Sequence, residues 1–516
     1  MNNPLDTQKD YQEYVNQKSP NSPILKNCFN AFWVGGLICS IGQIIFSFCL
    51  YKGLDETACG TVVSIILIAI SAFLTGLNIF NKIGKFAGAG SLVPITGFAN
   101  SIVAPAMEYK SEGYIMGVGA KMFTVAGPVL VYGISTSIIV GIVYFLFNCN
   151  GVLVWIFRLG TVPFTKKNRP QSEIKKERID KFIMEKLGKQ TIKFNTPPTV
   201  LETACIAGPK EADGPLAKYF DQCLEDEMWG EKSWEKAESK IVKQTVNTLI
   251  SKSGIPSDKI EYCFAGDLLN QCISSSFGLR ELNVPFYGIF GACSTFVEGM
   301  QLASVFIEGG INYAICSASS HFCSSERQFR FPLELGNQRP PTSQWTVTAC
   351  GSAMLAKNGD GPKITHITTG KIVDMGIKDA NNMGAAMAPA AFDTLMTHFS
   401  DTGRKPSYYD AILTGDLGHI GKDILIDLSQ DAGYNIKSVY NDCGVLIFDK
   451  STQDTHSGGS GCGCCASVFS GYLFEQLKTK KLNKILLIAT GALMNSMSSQ
   501  QGESIPGIAQ AIAIEN

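Results

Sequence analysis

The sequence predicts an N-terminal α-helical membrane domain of about four spans, one of them broken, joined to a C-terminal α/β layered domain with two pseudo-repeated halves. Three observations carry this expectation. Up to Gly160 the 516-residue chain holds 9 Lys+Arg and 7 Asp+Glu, against 35 and 38 in the remainder. Uncharged runs long enough to cross about 30 Å of hydrocarbon fill that first third. Finally, Ile260 to Leu268 (IEYCFAGDL) lies over Tyr409 to Leu417 (YDAILTGDL) at a constant offset of 149, the mark of a duplicated unit.

Residues 1–30 mix Asp6, Lys9, Asp10, Glu13, Lys18 and Lys26 with polar residues and prolines, and no cleavable apolar core follows a basic start. This polar segment is expected to stay in the cytosol. The membrane domain, 31–160, begins with two clear spans, Ala31 to Tyr51 and Ala58 to Phe80. Phe86 to Met107 is also uncharged but carries Gly88, Gly90, Gly97, Pro94 and Pro105, so a broken or re-entrant segment is expected. Such a segment is either a packing kink or irregular backbone lining a solute path. Glu108, Lys110 and Glu112 at its end read as solvated loop charges. Met122 to Phe157 is uncharged for 36 residues, more than one span needs, which places its end from Asn148 in the interface with Trp155 as anchor. If the broken segment crosses, Lys82 and Lys85 share a side with Arg158, Lys166, Lys167 and Arg169, as the positive-inside bias favours; hence four spans.

Residues 161–188 form a basic linker whose apolar positions from Ile174 to Leu187 suit a short amphipathic helix. In 189–516, runs of strand length alternate with helical patterns: Ser233 to Ser253 and Thr295 to Glu308 as helices, Tyr262 to Ala265 and Tyr313 to Ala318 as strands. Formal net charge is −1, too little basicity for a nucleic-acid partner. Seventeen cysteines, an odd number scattered through apolar runs, fit a reduced compartment better than a disulfide framework. The spacing of Cys462, Cys464 and Cys465 suits helix packing rather than zinc.

Glycine-rich loops at duplicated strand ends are the architecture of the thiolase fold, and residues 260–320, with AGDLLNQ, GACST and the EGG turn before a strand, resemble the nucleophile half of thiolases and ketoacyl synthases. More closely, AGDLLNQ, SSERQFRFPLE, QWTVTACGSA, NNMGAAMAPAA, TGDLG and GGSGCGCCA resemble the stage V sporulation protein AD family over nearly all of 189–516. FWVGGLICSIGQ and AGAGSLVPITGFANS resemble the stage V sporulation protein AC family, so the chain looks like a natural fusion of the two. The resemblance implies a thiolase-like C-terminal domain and a multi-pass protein of the inner spore (forespore) membrane. It further implies a membrane-anchored component that binds and transports dipicolinic acid or its calcium chelate, into the developing spore and out at germination. Partners implied are membrane lipid, other membrane proteins of that machinery and further copies of the chain; no cofactor is implied.

A thiolase-type condensation needs a thiolate, a base and donors for the developing oxyanion. Cys293, in GACST at a helix N-terminus, is the nucleophile candidate, and His456, just before Gly458 and Gly459, resembles the histidine that opens the family's second glycine loop. Where thiolases carry Asn and ketoacyl synthases His, this chain has Gly415 and Asp416; IATGAL lacks a second cysteine. A carboxylate beside a thiolate raises its pKa, so binding without turnover is expected. The ligand site is expected from Asp267, Asn270, Cys293, Ser294, His321, Asp416, His456, Gly458 and Gly459, with Cys293 facing His456 and the ligand's carboxylates at the helix starts after Cys293 and Gly459. Asp267 and Asp416 either cap the helices that follow them or face a calcium ion brought by the ligand; no intrinsic metal site is expected. The alternative function is a membrane-tethered acyl-transfer enzyme using Cys293 and His456, and a third is a scaffold without ligand.

Overall fold

The computed structural model describes residues 5–148 and 184–516. They divide into two compact units. One comprises Met1–Pro23, Ile183–Arg330 and Arg339–Asn516; the other comprises Ile24–Phe182 with Phe331–Gln338. Two stretches thus join units that their sequence positions do not announce.

The first unit begins with helix α1 (Gln8–Lys18), capped by the Thr7 side chain, which accepts from Asp10 N. In the second unit, α2 (Ile24–Tyr51) and α3 (Glu56–Gly76) are followed by three short helices, α4 (Phe80–Ala87), α5 (Ala89–Leu92) and α6 (Ile95–Glu108), and then by α7 (Phe123–Asn148). Among the described residues, three helical stretches are long and apolar enough to cross a membrane: Ile24–Tyr51, Glu56–Gly76 and Tyr114–Ile142. The irregular segment is broken where its residues require it. Gly88 has φ +52, a conformation that L side chains resist, and Pro94, which lacks an N–H, starts α6.

Helix α6 turns polar groups inward: Thr96, Asn100, Ser101 and Glu108 are all buried. They are satisfied locally, as membrane helices require. Ser71 Oγ donates to Thr96 O at 2.6 Å, and Thr75 Oγ1 donates to Asn100 Oδ1 at 2.9 Å. Glu108 is not the solvated loop charge expected from its position, because it accepts a hydrogen bond from Leu333 N at 2.9 Å. The interfacial stretch around Trp155 lies outside the described residues. So does the linker helix, except at its end, where Met184–Leu187 is a strand paired with Thr191–Phe194.

The C-terminal domain is built on ten principal strands: β1 (Thr199–Ala207), β2 (Tyr262–Gly266), β3 (Phe286–Gly288), β4 (Tyr313–Ser320), β5 (Ala349–Ala356), β6 (Lys363–Thr368), β7 (Ala411–Thr414), β8 (Tyr440–Asp442), β9 (Lys484–Ala492) and β10 (Gly507–Glu515). Their order, β8-β7-β9-β10-β6-β1-β5-β4-β2-β3, reads the same from either end. In one half β3, β2 and β4 are parallel and β5 and β1 antiparallel; in the other β8, β7 and β9 are parallel and β10 and β6 antiparallel. The offset of 149 is therefore a structural duplication, with Asp267 and Asp416 following the equivalent strands β2 and β7.

Alternation along the strands sets the layers. Cys263 and Ala265 pack against α8 (Trp234–Ser253), whereas Phe264 between them joins the central core with α9 (Thr295–Glu308). In the second half Ile485, Leu487 and Ala489 face that same core, while Leu486 and Ile488 meet α10 (Met383–Thr402) and α11 (Gly418–Asp431). Strands covered on both faces must be apolar throughout, which explains runs such as KILLIATGA. The central layer pairs α9 with α12 (Cys462–Ser467) and its continuation to Leu473; Phe296 and Phe469 meet there at 5.7 Å. Cys462, Cys464 and Cys465 are buried in this layer as small apolar packing residues.

Helix α1 covers the outer face of the second half. Tyr11 and Val15 are buried among α10 residues, Tyr11 Oη donates to Ala385 O at 2.5 Å and Tyr14 Oη to Asp427 Oδ2 at 2.8 Å. Lys18 pairs with the same Asp427.

Candidate functional site

Two glycine-rich loops converge at the strand ends, as the duplication implies, and a cavity opens beside Cys293. Its walls include Leu268, Phe290, Ala292, Cys293, Phe329 and Met383, with Ser460, Gly461, Ala492 and Met494 from the second half. One stretch of chain supplies its charged groups and most of its polar ones: Glu326, Gln328 and Arg330, then Arg339, Ser343 and Gln344. The cavity volume is about 150 Å³.

At the base of the cavity, Cys293 precedes α9 and is 6% exposed. Its neighbours are Ser460, whose Oγ lies 3.9 Å from Sγ, and Asp416. Asp416 accepts from Thr490 Oγ1 at 2.5 Å, from Ser460 Oγ at 3.0 Å and from Gly461 N at 3.4 Å. Burial raises its pKa to about 6, against the lowering by these donors, so the carboxylate is ionised at neutral pH. Burial first, and the Asp416 charge second, hold the Cys293 thiol well above its ordinary value. The thiolate needed for acyl transfer is thereby opposed, despite the helix start that follows.

His456 does not take the base's position. It adopts φ +51 and pairs through Nε2 with Asp454 at 3.1 Å, while Ser460 and Asp416 occupy the place beside the thiol and His456 is absent from the cavity lining. The expected facing of Cys293 and His456 is therefore corrected: the residue after β7 is acidic and reaches across to the thiol, and the histidine turns to a carboxylate of its own loop.

The other expected residues divide by the work they do. Asp267 is a capping acid, buried and filled by Leu269 N at 2.9 Å and by Ser275 N and Oγ, each at 2.8 Å. Asp416 does not cap its helix. That task falls to Asp442, which accepts from Leu417 N at 2.8 Å and Gly418 N at 2.9 Å. His321 is likewise withdrawn from the cavity: Nδ1 accepts from Cys323 N at 3.2 Å and Nε2 meets Glu227 O at 2.8 Å, both structural contacts. Ser294 Oγ donates to Gly291 O at 2.7 Å, and Asn270 is exposed on a short turn. Gly458 and Gly459 serve backbone pairing: Trp345 N donates to Gly458 O at 2.8 Å and Gln344 Nε2 to Gly459 O at 3.0 Å. A Cβ at Gly459 would meet Ile447 Cγ2 at 2.9 Å, so packing rather than ligand approach requires the glycine.

Two cavity residues that the sequence did not single out are Arg330 and Arg339. Arg330 Nη2 donates to Cys323 O at 3.1 Å and its guanidinium lies 5.8 Å from the Phe322 ring centre. Arg339 stacks over Trp345 at 4.8 Å and donates from Nη2 to Gln344 O. Its Nη1 is buried without a hydrogen-bond partner among the described residues, as is Gln344 Oε1 on the same wall. A buried guanidinium nitrogen left unsatisfied costs on the order of 1–3 kcal/mol, which a ligand acceptor would recover. The run SSERQFRFPLELGNQR contains both arginines; Arg327 within it instead pairs with Glu235 at 2.9 Å.

Two families match successive parts of the chain. Residues 188–515 match the family model of stage V sporulation protein AD, and residues 27–143 match that of the SpoVAC/SpoVAEB sporulation membrane protein. Stage V sporulation protein AD of Bacillus subtilis (strain 168) is 42% identical over 333 residues, 64% of this chain and 98% of that protein. Stage V sporulation protein AC of the same organism is 47% identical over 141 residues, 27% of this chain and 94% of that protein. Among solved structures, a variant of Xanthomonas campestris OleA aligns at 12% identity over 62% of this chain and 98% of its own, with a TM-score of 0.42. AbyA1, described as a tetronic acid condensing enzyme, aligns at 13% identity over 62% of this chain and all of its own, with the same score.

Proposed function

Since the chain belongs to the stage V sporulation protein AD family and carries a SpoVAC-type membrane part ahead of it, we propose that it is a dipicolinate-binding and transport component of the spore membrane that does not turn over its ligand. The cavity beside Cys293 would hold the ligand and the membrane unit would take part in its passage, together with other membrane proteins of the same machinery. The observation that carries this reading is that Arg330 and Arg339 both line a cavity whose other walls are largely apolar. Dipicolinate is a flat pyridine ring with two carboxylates. Its ring suits Phe290, Phe329, Met383 and Met494, and its carboxylates suit two guanidinium groups that offer planar, charge-assisted donors. Glu326 on the same wall leaves a modest positive balance. The carboxylate site thus lies at the arginines rather than at the helix starts.

The chemistry around Cys293 supports the reading without turnover: a thiol opposed by burial and by Asp416, with no histidine beside it among the described residues, is a poor nucleophile. Titration calorimetry on the full chain in detergent, with dipicolinate alone and with calcium, tests the proposal, paired with intact-mass measurement after exposure to acyl-CoA. Saturable heat with an unchanged mass is expected. Stoichiometric acylation of Cys293 without dipicolinate heat would replace this reading with the acyl-transfer one.

A further inference from the structure

Arg330 and Arg339 bracket the eight residues that leave the C-terminal domain and belong to the membrane unit, Phe331–Gln338. Every residue of this excursion is therefore tied, within one chain length of eight, to a cavity arginine at each end. Inside the membrane unit the excursion is held by specific bonds rather than by loose contact. Leu333 N donates to Glu108 Oε2 at 2.9 Å, Asn100 Nδ2 donates to Leu335 O at 3.0 Å, and Gln338 Nε2 donates to Lys85 O at 2.9 Å. Gly336 has φ +80 and lies so close to the Asn81 backbone that a side chain has no room. Gly84 is equally constrained, since a Cβ there would stand 2.9 Å from Leu335 O.

Asn100 is the central member. It is fully buried, and its amide is used from both sides: Oδ1 accepts from Thr75 of α3 and Nδ2 donates to the excursion. A buried amide satisfied in this way has few alternative geometries, because moving the excursion leaves a polar group unpaired. Displacement of Leu335 must therefore be accompanied by rearrangement of α6 or by loss of that bond.

We propose that Phe331–Gln338 is a transmission element through which occupancy of the cavity by a dianionic ligand is communicated to α4 and α6 of the membrane unit. This rests on the dicarboxylate reading of the cavity. A ligand whose two carboxylates engage Arg330 and Arg339 fixes both ends of the excursion at once and removes conformations it would otherwise sample. Coupling of this kind is reciprocal: a change that reshapes the excursion from the membrane side alters ligand affinity by the same factor. Asn100 is thereby assigned an effect on a ligand it does not touch.

Hydrogen exchange of the full chain in lipid nanodiscs, with and without saturating dipicolinate, tests the proposal alongside calorimetry on the same samples. Exchange should slow at 331–338 and at 95–108 as well as around the cavity. Asn100→Ala and, separately, Thr75→Val, which removes the other bond of the same amide, should shift dipicolinate affinity by roughly fivefold or more while the exchange of β4 and β9 stays that of the parent. Binding with slowed exchange confined to the cavity, and unaltered affinity in both variants, overturns the transmission role and leaves the binding function standing. No dipicolinate heat in the parent chain overturns both.

Discussion

Thr490 Oγ1 donates to Asp416 Oδ1 at 2.5 Å, so strand β9 fixes the acid that faces the Cys293 thiol. Replacing Asp416 by Asn keeps the shape and removes the charge. The thiol should then ionise more readily, so that the thiolate fraction rises at a pH below its own pKa. Alkylation of Cys293 by a small haloacetamide at pH 8, followed by peptide mass spectrometry, should be faster in Asp416→Asn than in the parent. Equal rates would mean that burial alone sets the thiol.

Arg339→Leu removes the donor whose Nη1 waits unsatisfied at the cavity wall. A charge-assisted hydrogen bond is worth about 1.5–3 kcal/mol, so dipicolinate affinity should fall by roughly 10- to 100-fold in calorimetry. Arg339→Lys should recover only part, since an ammonium cannot present two parallel donors to a carboxylate.

The helix before the first span is held by a buried phenol. Tyr11→Ala deletes a side chain with no exposed surface and its bond to Ala385, a loss of about 3 kcal/mol or more by analogy with other large aromatic deletions. Limited proteolysis should then cut within residues 8–18 while the domain core stays intact. Tyr11→Phe, which keeps the packing, should be cut far less.

His398 predicts an acid sensitivity of the domain. Its Nδ1 lies 2.7 Å from Thr368 Oγ1 and its Nε2 2.6 Å from Tyr409 Oη; burial, then Arg404 and His366, lower its pKa to about 3 from 6.5. Between those values the unfolded chain binds the proton that the folded one refuses. Stability is therefore complete above pH 6.5 and declines as pH falls toward 3, by about 2 kcal/mol from this group at pH 5. His398→Gln should be less stable at pH 7 yet lose less between pH 7 and pH 5, measured by denaturant unfolding at both.

Much of this architecture is legible in sequence because it is local and periodic. The GDL repeat marks two strand ends that the fold makes equivalent, and Thr295 to Glu308 is a helix with those very ends because a glycine-rich turn precedes it and Gly309 follows. The site is less legible, because equivalent positions acquire different partners. Asp267 caps its own turn, whereas Asp442 arrives from another strand and relieves Asp416 of that task. His456 is diverted by Asp454, two residues away, which outbids a distant thiol. Arg330 and Arg339 were hidden among charged neighbours, and only the path of the chain between them separates them from an ordinary ion pair such as Arg327 with Glu235.

Because α1 is docked on the C-terminal domain, the two share a single aqueous compartment, whatever lies between them in sequence. A path that leaves a compartment and comes back traverses the bilayer an even number of times. The three long apolar helices among the described residues are an odd number, so if all three cross, they do not by themselves return the chain to its starting face. Reporters placed ahead of α1 and after β10 must therefore light up on the same face of a sealed vesicle, and opposite signals would mean that α1 detaches when the chain inserts.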